Sequence, residues 1–483
     1  MNLSDLLKDS VERYKDRPVI VFENQRINYG ELGSAVNVAA CQLRRAGIVK
    51  GDKVALVLPN IPAFFYFYFA ATKLGAVAVP LNTSSTPYEL NYLLDNSDAK
   101  VLVATEPVRR RYEEIRDKLA TCKNIIVVDE PAQVALFKKA LTSGDVPEIS
   151  EKISPDDPAA IIYTSGLTGK ALGAVLTHRN LYSQSHLTQT YVKRTYRDVG
   201  LCLIPLFHSF GATVNMINVV RAGCSVVMMD RFTMDGLFGA IQKEKITYIC
   251  AVPRLYLGMI FHEGAGNFDI SSLEVCVTGG AAMPPEFIAP FEEKFHAKII
   301  EGYGLTEASP ACSFNMLDRP QKPGSIGRAL SGTEIIIADE KGKELPRGQV
   351  GELLVRGDNV MQGYYKDKKA TDSVIREGWL HTGDLGRMDE DGYIFLTGLK
   401  KRMIITSGFN VYPKEIEDIL SMHPAVREVE VVGKKDLMRG EIVLARIVLK
   451  NSAAIDDKEI LKYCRTYLSS YKVPREVEFV EKI

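Results

Sequence analysis

Short runs of β-branched and apolar residues recur along this chain, each followed by a stretch of helical spacing. That alternation constrains the fold more than any other feature. "DKVALVLP", "GAVAVPL", "KVLVAT" and "NIIVVDE" read as strands, with helices expected at "TPYELNYLLDN" and "YEEIRDKLATC" between them. The rhythm returns at "CSVVMMD", "ITYICAVP", "LEVCVTGG" and "AKIIEGYG". Parallel strands need a crossover and a helix supplies it, so the pattern predicts parallel sheets covered by helices. Ligands bind such folds beyond the strand ends, where glycines admit them. At 483 residues the chain is too long for one ordinary core. "IPAFFYFYFAATKLGAVAVPL" carries Lys73 and breaks at Gly75, which predicts a buried helix and then a strand rather than a membrane span.

Near residue 325 the texture changes. "TEIIIADEKGKELPRGQVGELLVRG" and "DGYIFLTG" read as hairpins, which predicts a β-rich subdomain over about 325–400. After "GLKKRMIITSGFNVYP" come "KEIEDILSMHPAVREVEVVG", "EIVLARIVL" and "EILKYCRTYL", a small α+β module. The expected architecture is α/β: a large N-terminal domain, 1–400, of stacked mostly parallel sheets with helices, and a small α+β C-terminal domain, 401–483. Lys400, Lys401 and Arg402 form a basic linker between them.

Sixty basic and sixty acidic side chains cancel, which speaks against a nucleic-acid partner. The eight cysteines show no CxxC pair and no Cys/His ligand spacing, so buried thiols in a reducing cytoplasm are expected. The first residues, "MNLSDLLKDSVERYKDRP", lack a signal-peptide core. Peripheral membrane contact stays open, and the sequence does not fix an oligomeric state.

"YTSGLTGKALGAVLTH", Tyr163 to His178, raises the first chemical question. Tyr163 closes a strand, and a glycine-rich turn is expected to lead towards the helix "THRNLYSQSH". Thr164, Ser165 and Thr168 offer hydroxyls, Gly166 and Gly169 admit close backbone approach, and Lys170 brings a positive charge. Such a set suits phosphate oxygens. It is not a Walker loop: two residues, not four, separate Gly166 from Gly169, and Ala171 follows Lys170. Alone, the loop reads equally well as a structural turn.

Further motifs follow in order: "PLFHSFG", "TGGAAMP", "EGYGLTEASP", "PGSIGRAL", "WLHTGDLG" and "GFNVYPKEIE". The series spans nearly the whole chain and resembles the adenylate-forming acyl-CoA synthetase family, which includes luciferases and peptide-synthetase adenylation domains. "GYGLTEASP" looks most like the fatty acyl-CoA ligases. The resemblance implies ATP, CoA and a carboxylic acid as substrates and Mg²⁺ as cofactor. It implies that Thr164, Ser165, Gly166, Thr168, Gly169 and Lys170 grip the β- and γ-phosphates. Gly279, Gly280 and Ala281 would line an adenine slot with Gly302, Tyr303 and Gly304, the tyrosine stacking on the base. Thr306 would bind the α-phosphate, Glu307 would carry Mg²⁺, and Asp384 would take the ribose hydroxyls. His208 matches the residue at the acyl and thiol gate. Lys401 matches a hinge about which the C-terminal domain rotates, and Gly408 with Phe409 a CoA site.

Several positions depart from the family pattern. Leu167, Ala171 and Leu172 replace a hydroxyl, a proline and a lysine in the loop, which predicts weaker ATP binding. Leu399 stands fifteen residues after Asp384, where the family commonly has arginine. The sequence ends at "YKVPREVEFVEKI", a phrase followed in relatives by P-x-x-x-x-G-K, whose lysine assists the first half-reaction. Without that segment acyl adenylation is expected to be slow. "HSFGATVNM" and "SPACSF" are small and apolar, which favours an apolar tunnel for a fatty or aromatic acid; the likeness of "GYGLTEASP" to the fatty acyl-CoA ligases implies a medium- or long-chain acid first. Transfer to a carrier protein, or nucleotide binding with little turnover, remain alternatives at this stage.

Overall fold

The computed structural model describes residues 1–129, 131–143, 149, 151–164, 170–229, 232–399, 403–450 and 455–483. Lys53–Val57, Val77–Pro80, Ala99–Ala104 and Asn124–Val127 are strands, and they pair in parallel within one seven-stranded sheet. Helix Pro87–Asn96 forms where expected, closed at its start by a capping box between Thr86 and Glu89. The second expected helix lies further upstream, at Glu106–Glu113 rather than over "YEEIRDKLATC". Pro107 favours the first helical turn, and Ala120 and Thr121 hydrogen-bond instead to Asp95 and Ala99.

A second sheet of nine strands holds Ser225–Met228, Tyr248–Ala251, Val275–Thr278 and Lys298–Gly304, all in parallel. Helix Pro62–Lys73 is apolar all round and buried on every face, and the strand Val77–Pro80 follows it. No helix among the described residues is long and apolar enough to cross a membrane.

The glycine-rich loop is set differently from the expectation. It connects strand Pro158–Thr164 to an antiparallel strand, Leu172–Thr177, and only then does helix His178–Ser183 begin. Gly173 to Thr177 are buried or nearly so, which a strand inside a sheet accommodates and a solvent-facing turn would not. Strand Leu172–Thr177 thus stands between the glycine-rich sequence and the helix. Ser165, Gly166, Leu167, Thr168 and Gly169 lie outside the described residues.

Beyond residue 330 the sheet is antiparallel, pairing Thr333–Ala338, Gly351–Gly357, Trp379–Met388 and Ile394–Leu399. The chain ends in a sheet of Ile404–Thr406, Phe409–Val411, Val426–Asp436, Gly440–Leu449 and Glu476–Phe479. Helices Pro413–Ser421 and Asp457–Tyr467 accompany it around a separate core that includes Val411, Ile416, Val431, Ala445 and Ile460. The expected boundary at 400/401, and Lys401 itself, lie outside the described residues.

Candidate active site

Strands Val275–Thr278 and Lys298–Gly304 run side by side, with Thr278 opposite Glu301. Their ends carry Gly279–Gly280–Ala281 and Gly302–Tyr303–Gly304 to one rim. Backbone contact dictates the glycine at 304 and leaves little room at 279. A Cβ on Gly304 would stand 1.7 Å from the Pro310 carbonyl oxygen, and one on Gly279 would stand 3.2 Å from that of Gly302.

Above this rim lies a cavity of about 520 Å³. Thr164, His208, Gly279, Gly280, Ala281, Gly302, Tyr303, Gly304, Thr306, Glu307, Asp384 and Gly408 all line it, together with the substituted Leu172. Residues separated by more than two hundred positions thus meet at one place. Lys170 is exposed and outside that lining. Phe409 is also outside it: Gly408, Asn410 and Tyr412 face the cavity, while Phe409 stacks on Tyr471 with ring centroids 4.5 Å apart. The alternation of a strand sends neighbours to opposite sides.

The polar side chains are mutually oriented. Tyr303 donates its hydroxyl hydrogen bond to Asp384 Oδ2, and burial together with that carboxylate holds the phenol well above its ordinary pKa. Thr306 Oγ1 lies 3.1 Å from Ser209 Oγ. Glu307 Oε1 accepts from the Tyr364 hydroxyl at 2.7 Å. His208 Nδ1 accepts from the Phe210 amide at 3.2 Å, and burial pushes its pKa down to about 4. The imidazole is therefore neutral near pH 7 and carries its hydrogen on Nε2. Asp384 lies opposite Leu399 in the strand register.

Ser209, Tyr364 and Glu301 were not singled out by the sequence. Ser209 adjoins His208 in "PLFHSFG", which was a usable signal, whereas Tyr364 reaches Glu307 through tertiary contact alone. Glu301 is 7% exposed and accepts from the Met283 amide at 3.1 Å. Burial pushes its carboxyl up to about 7 from an ordinary value near 4.5. Its proton is therefore held longer in the folded chain, and the cost of ionising it grows above pH 4.5 and is complete beyond pH 7. Glu301→Gln is expected to raise stability at pH 8 by about 2–3 kcal/mol, and to leave it unchanged at pH 4, in urea denaturation.

The lining also includes apolar side chains, among them Leu187, Phe210, Val214, Ala311, Phe314 and Ile326. Glycine backbone at strand ends beside a carboxylate, together with apolar lining, suits a nucleotide and an organic acid held together. The comparisons with known proteins agree in class. The chain belongs to the AMP-binding enzyme family, whose model matches residues 7–365, while that of the AMP-binding enzyme C-terminal domain matches residues 415–483. It is 32% identical to a long-chain-fatty-acid–CoA ligase of Bacillus subtilis over all of this chain and 91% of that relative. Among solved structures it resembles a double mutant of o-succinylbenzoate CoA synthetase from Bacillus subtilis, bound to a product analogue. That match has 28% identity and a TM-score of 0.88, covering 99% of this chain and 95% of that one. A fatty acyl CoA synthetase of Mycobacterium tuberculosis matches with 31% identity and a TM-score of 0.76, covering 100% and 95%.

Proposed function

We propose that this protein is an AMP-forming acyl-CoA synthetase that activates a medium- or long-chain fatty acid. The observation that carries the reading is one shared cavity, lined by Asp384, Thr306 and Glu307 together with Gly408 and a set of apolar side chains. In the first half-reaction a carboxylate oxygen attacks the α-phosphorus of ATP, the bond to diphosphate breaks, and acyl-AMP forms. In the second, the sulfur of CoA attacks the acyl carbon and AMP leaves.

Each residue has a role in that scheme. Asp384 accepts from ribose hydroxyls, oriented by Tyr303. Thr306, held by Ser209, donates to an α-phosphate oxygen. His208, with its hydrogen on Nε2, serves as a donor to the acyl oxygen, since Nδ1 is already engaged. Among the described residues no cluster of three or more His, Cys, Asp or Glu stands ready for a metal. Glu307 alone suits Mg²⁺, which takes one or two carboxylates and fills its shell from phosphates and water. When bound there, Mg²⁺ would offset phosphate charge as the carboxylate approaches.

The phosphate end shows why the loop substitutions matter. Leu172 opens its strand against Thr164 and presents an apolar side chain to the cavity. Leu172→Lys is expected to tighten ATP binding about tenfold by calorimetry, as one charged hydrogen bond contributes about 1.5–3 kcal/mol. The reading as a whole is tested by turnover with ATP, CoA and fatty acids of graded length. Acyl-CoA and AMP are expected with acids of medium or long chain. Equal rates with acetate, or no thioester from supplied acyl-AMP, would overturn it.

A further inference from the structure

That scheme leaves one buried cation unused. Lys472 is 6% exposed, with its ammonium 2.9 Å from Glu89 Oε1 and 2.6 Å from Glu415 Oε1. Glu89 belongs to helix Pro87–Asn96 on the first sheet, whereas Lys472 and Glu415 belong to the C-terminal domain. Ser469 Oγ donates to Glu89 Oε2 at 2.5 Å. Beside this cluster Thr86 Oγ1 donates to the Tyr467 carbonyl at 3.1 Å, and Tyr88 meets Tyr467 edge-on at 5.4 Å.

The cluster is tied to the cavity by a short run of contacts. Tyr471, next to Lys472, stacks on Phe409, and Phe409 adjoins Gly408. The Gly408 turn in turn rests on the N-terminal domain, where Arg254 Nη1 donates to Ser407 Oγ at 3.1 Å. A buried ion pair adds little net stability, because desolvation offsets most of its attraction. It is nevertheless strict about geometry, since moving one partner away strands the other in a low dielectric. A contact of this kind selects one docking position for a domain.

We propose that Lys472, Glu89 and Ser469 are positioning residues for thiol transfer: their buried contact fixes the C-terminal domain where the Gly408 turn closes the cavity. The role in transfer rests on the acyl-CoA synthetase reading; the docking role stands on the contacts themselves. The charges are consistent with it. Burial opposes ionisation of Glu89, but Lys472 and Ser469 outweigh it and hold the carboxyl below its ordinary value. Burial raises Glu415, which shares the Lys472 ammonium with Glu89.

The test separates the two half-reactions and adds a readout independent of either. With acyl-AMP supplied, Lys472→Met is expected to raise the KM for CoA and to slow thioester formation at least tenfold. Lys472→Arg should restore part of that loss, and diphosphate exchange should stay within twofold. Amide hydrogen exchange should quicken over 87–96 and 404–411. Glu89→Gln, whose amide oxygen still accepts from the Thr86 amide, should show the same pattern from the other side of the interface. Unchanged protection in both variants, or an equal fall in both half-reactions, would overturn the proposal. Should the parent chain form no thioester at all, the functional reading fails. The hydrogen-exchange arm still decides the docking role, quickened exchange supporting it and unchanged exchange refuting it.

Discussion

Gly408→Ala is expected to slow thioester formation from acyl-AMP and CoA at least 100-fold while diphosphate exchange stays within twofold. Gly408 has φ +84°, a left-handed conformation that costs an alanine about 1–2 kcal/mol. The larger effect is steric. An added Cβ would lie 2.4 Å from Val252 Cγ1 and 3.3 Å from Val252 Cβ, so the turn must withdraw from the wall it closes. A branched side chain on the helix-entry residue Val252 has little freedom to yield. A hundredfold loss corresponds to about 2.7 kcal/mol, within reach of the two effects combined. Val252→Ala removes the obstructing methyl, so the Gly408→Ala/Val252→Ala pair should recover more than the single effects predict. An equal loss in both half-reactions would show general destabilisation and not a blocked thiol path.

The fold was legible because its signals are local. Short runs of β-branched and apolar residues marked the parallel strands, and Gly304 sits where backbone contact excludes a side chain. What the local pattern could not show was where an element would pair. Between the glycine-rich loop and the helix of "THRNLYSQSH" no strand was expected, yet Leu172–Thr177 pairs back onto Pro158–Thr164, because the sheet offers it a buried place. The site divided in the same way. Residues within ordered motifs, such as Asp384 and Thr306, could be named from sequence. Tyr364, Ser209 and Val252 act through contacts that cross 57, 97 and 156 residues, as their partners Glu307, Thr306 and Gly408 show. Lys472 was the least visible of all. A lysine in "YKVP" reads as a surface charge until Glu89, 383 positions away, is placed against it.

Glu307→Gln should separate positive-charge binding from hydrogen bonding at the phosphate end, with a fall in diphosphate exchange of about 10³-fold. The substitution keeps the side chain's shape, and the amide oxygen can still accept from Tyr364, so thermal stability should change little. What is lost is one negative charge in a crevice where carboxylate and triphosphate must approach despite their repulsion. A cation held by that charge stabilises developing phosphate oxygens by several kcal/mol, and 10³-fold is about 4 kcal/mol. Tyr364→Phe is the matched control. It removes the hydrogen bond, keeps the carboxylate, and should cost tenfold at most. ATP binding to the parent chain should tighten with added Mg²⁺, and binding to the glutamine variant should not. Exchange within tenfold of the parent in Glu307→Gln would move the metal role elsewhere. A larger loss in Tyr364→Phe than in Glu307→Gln would instead make orientation, not charge, the contribution of this pair.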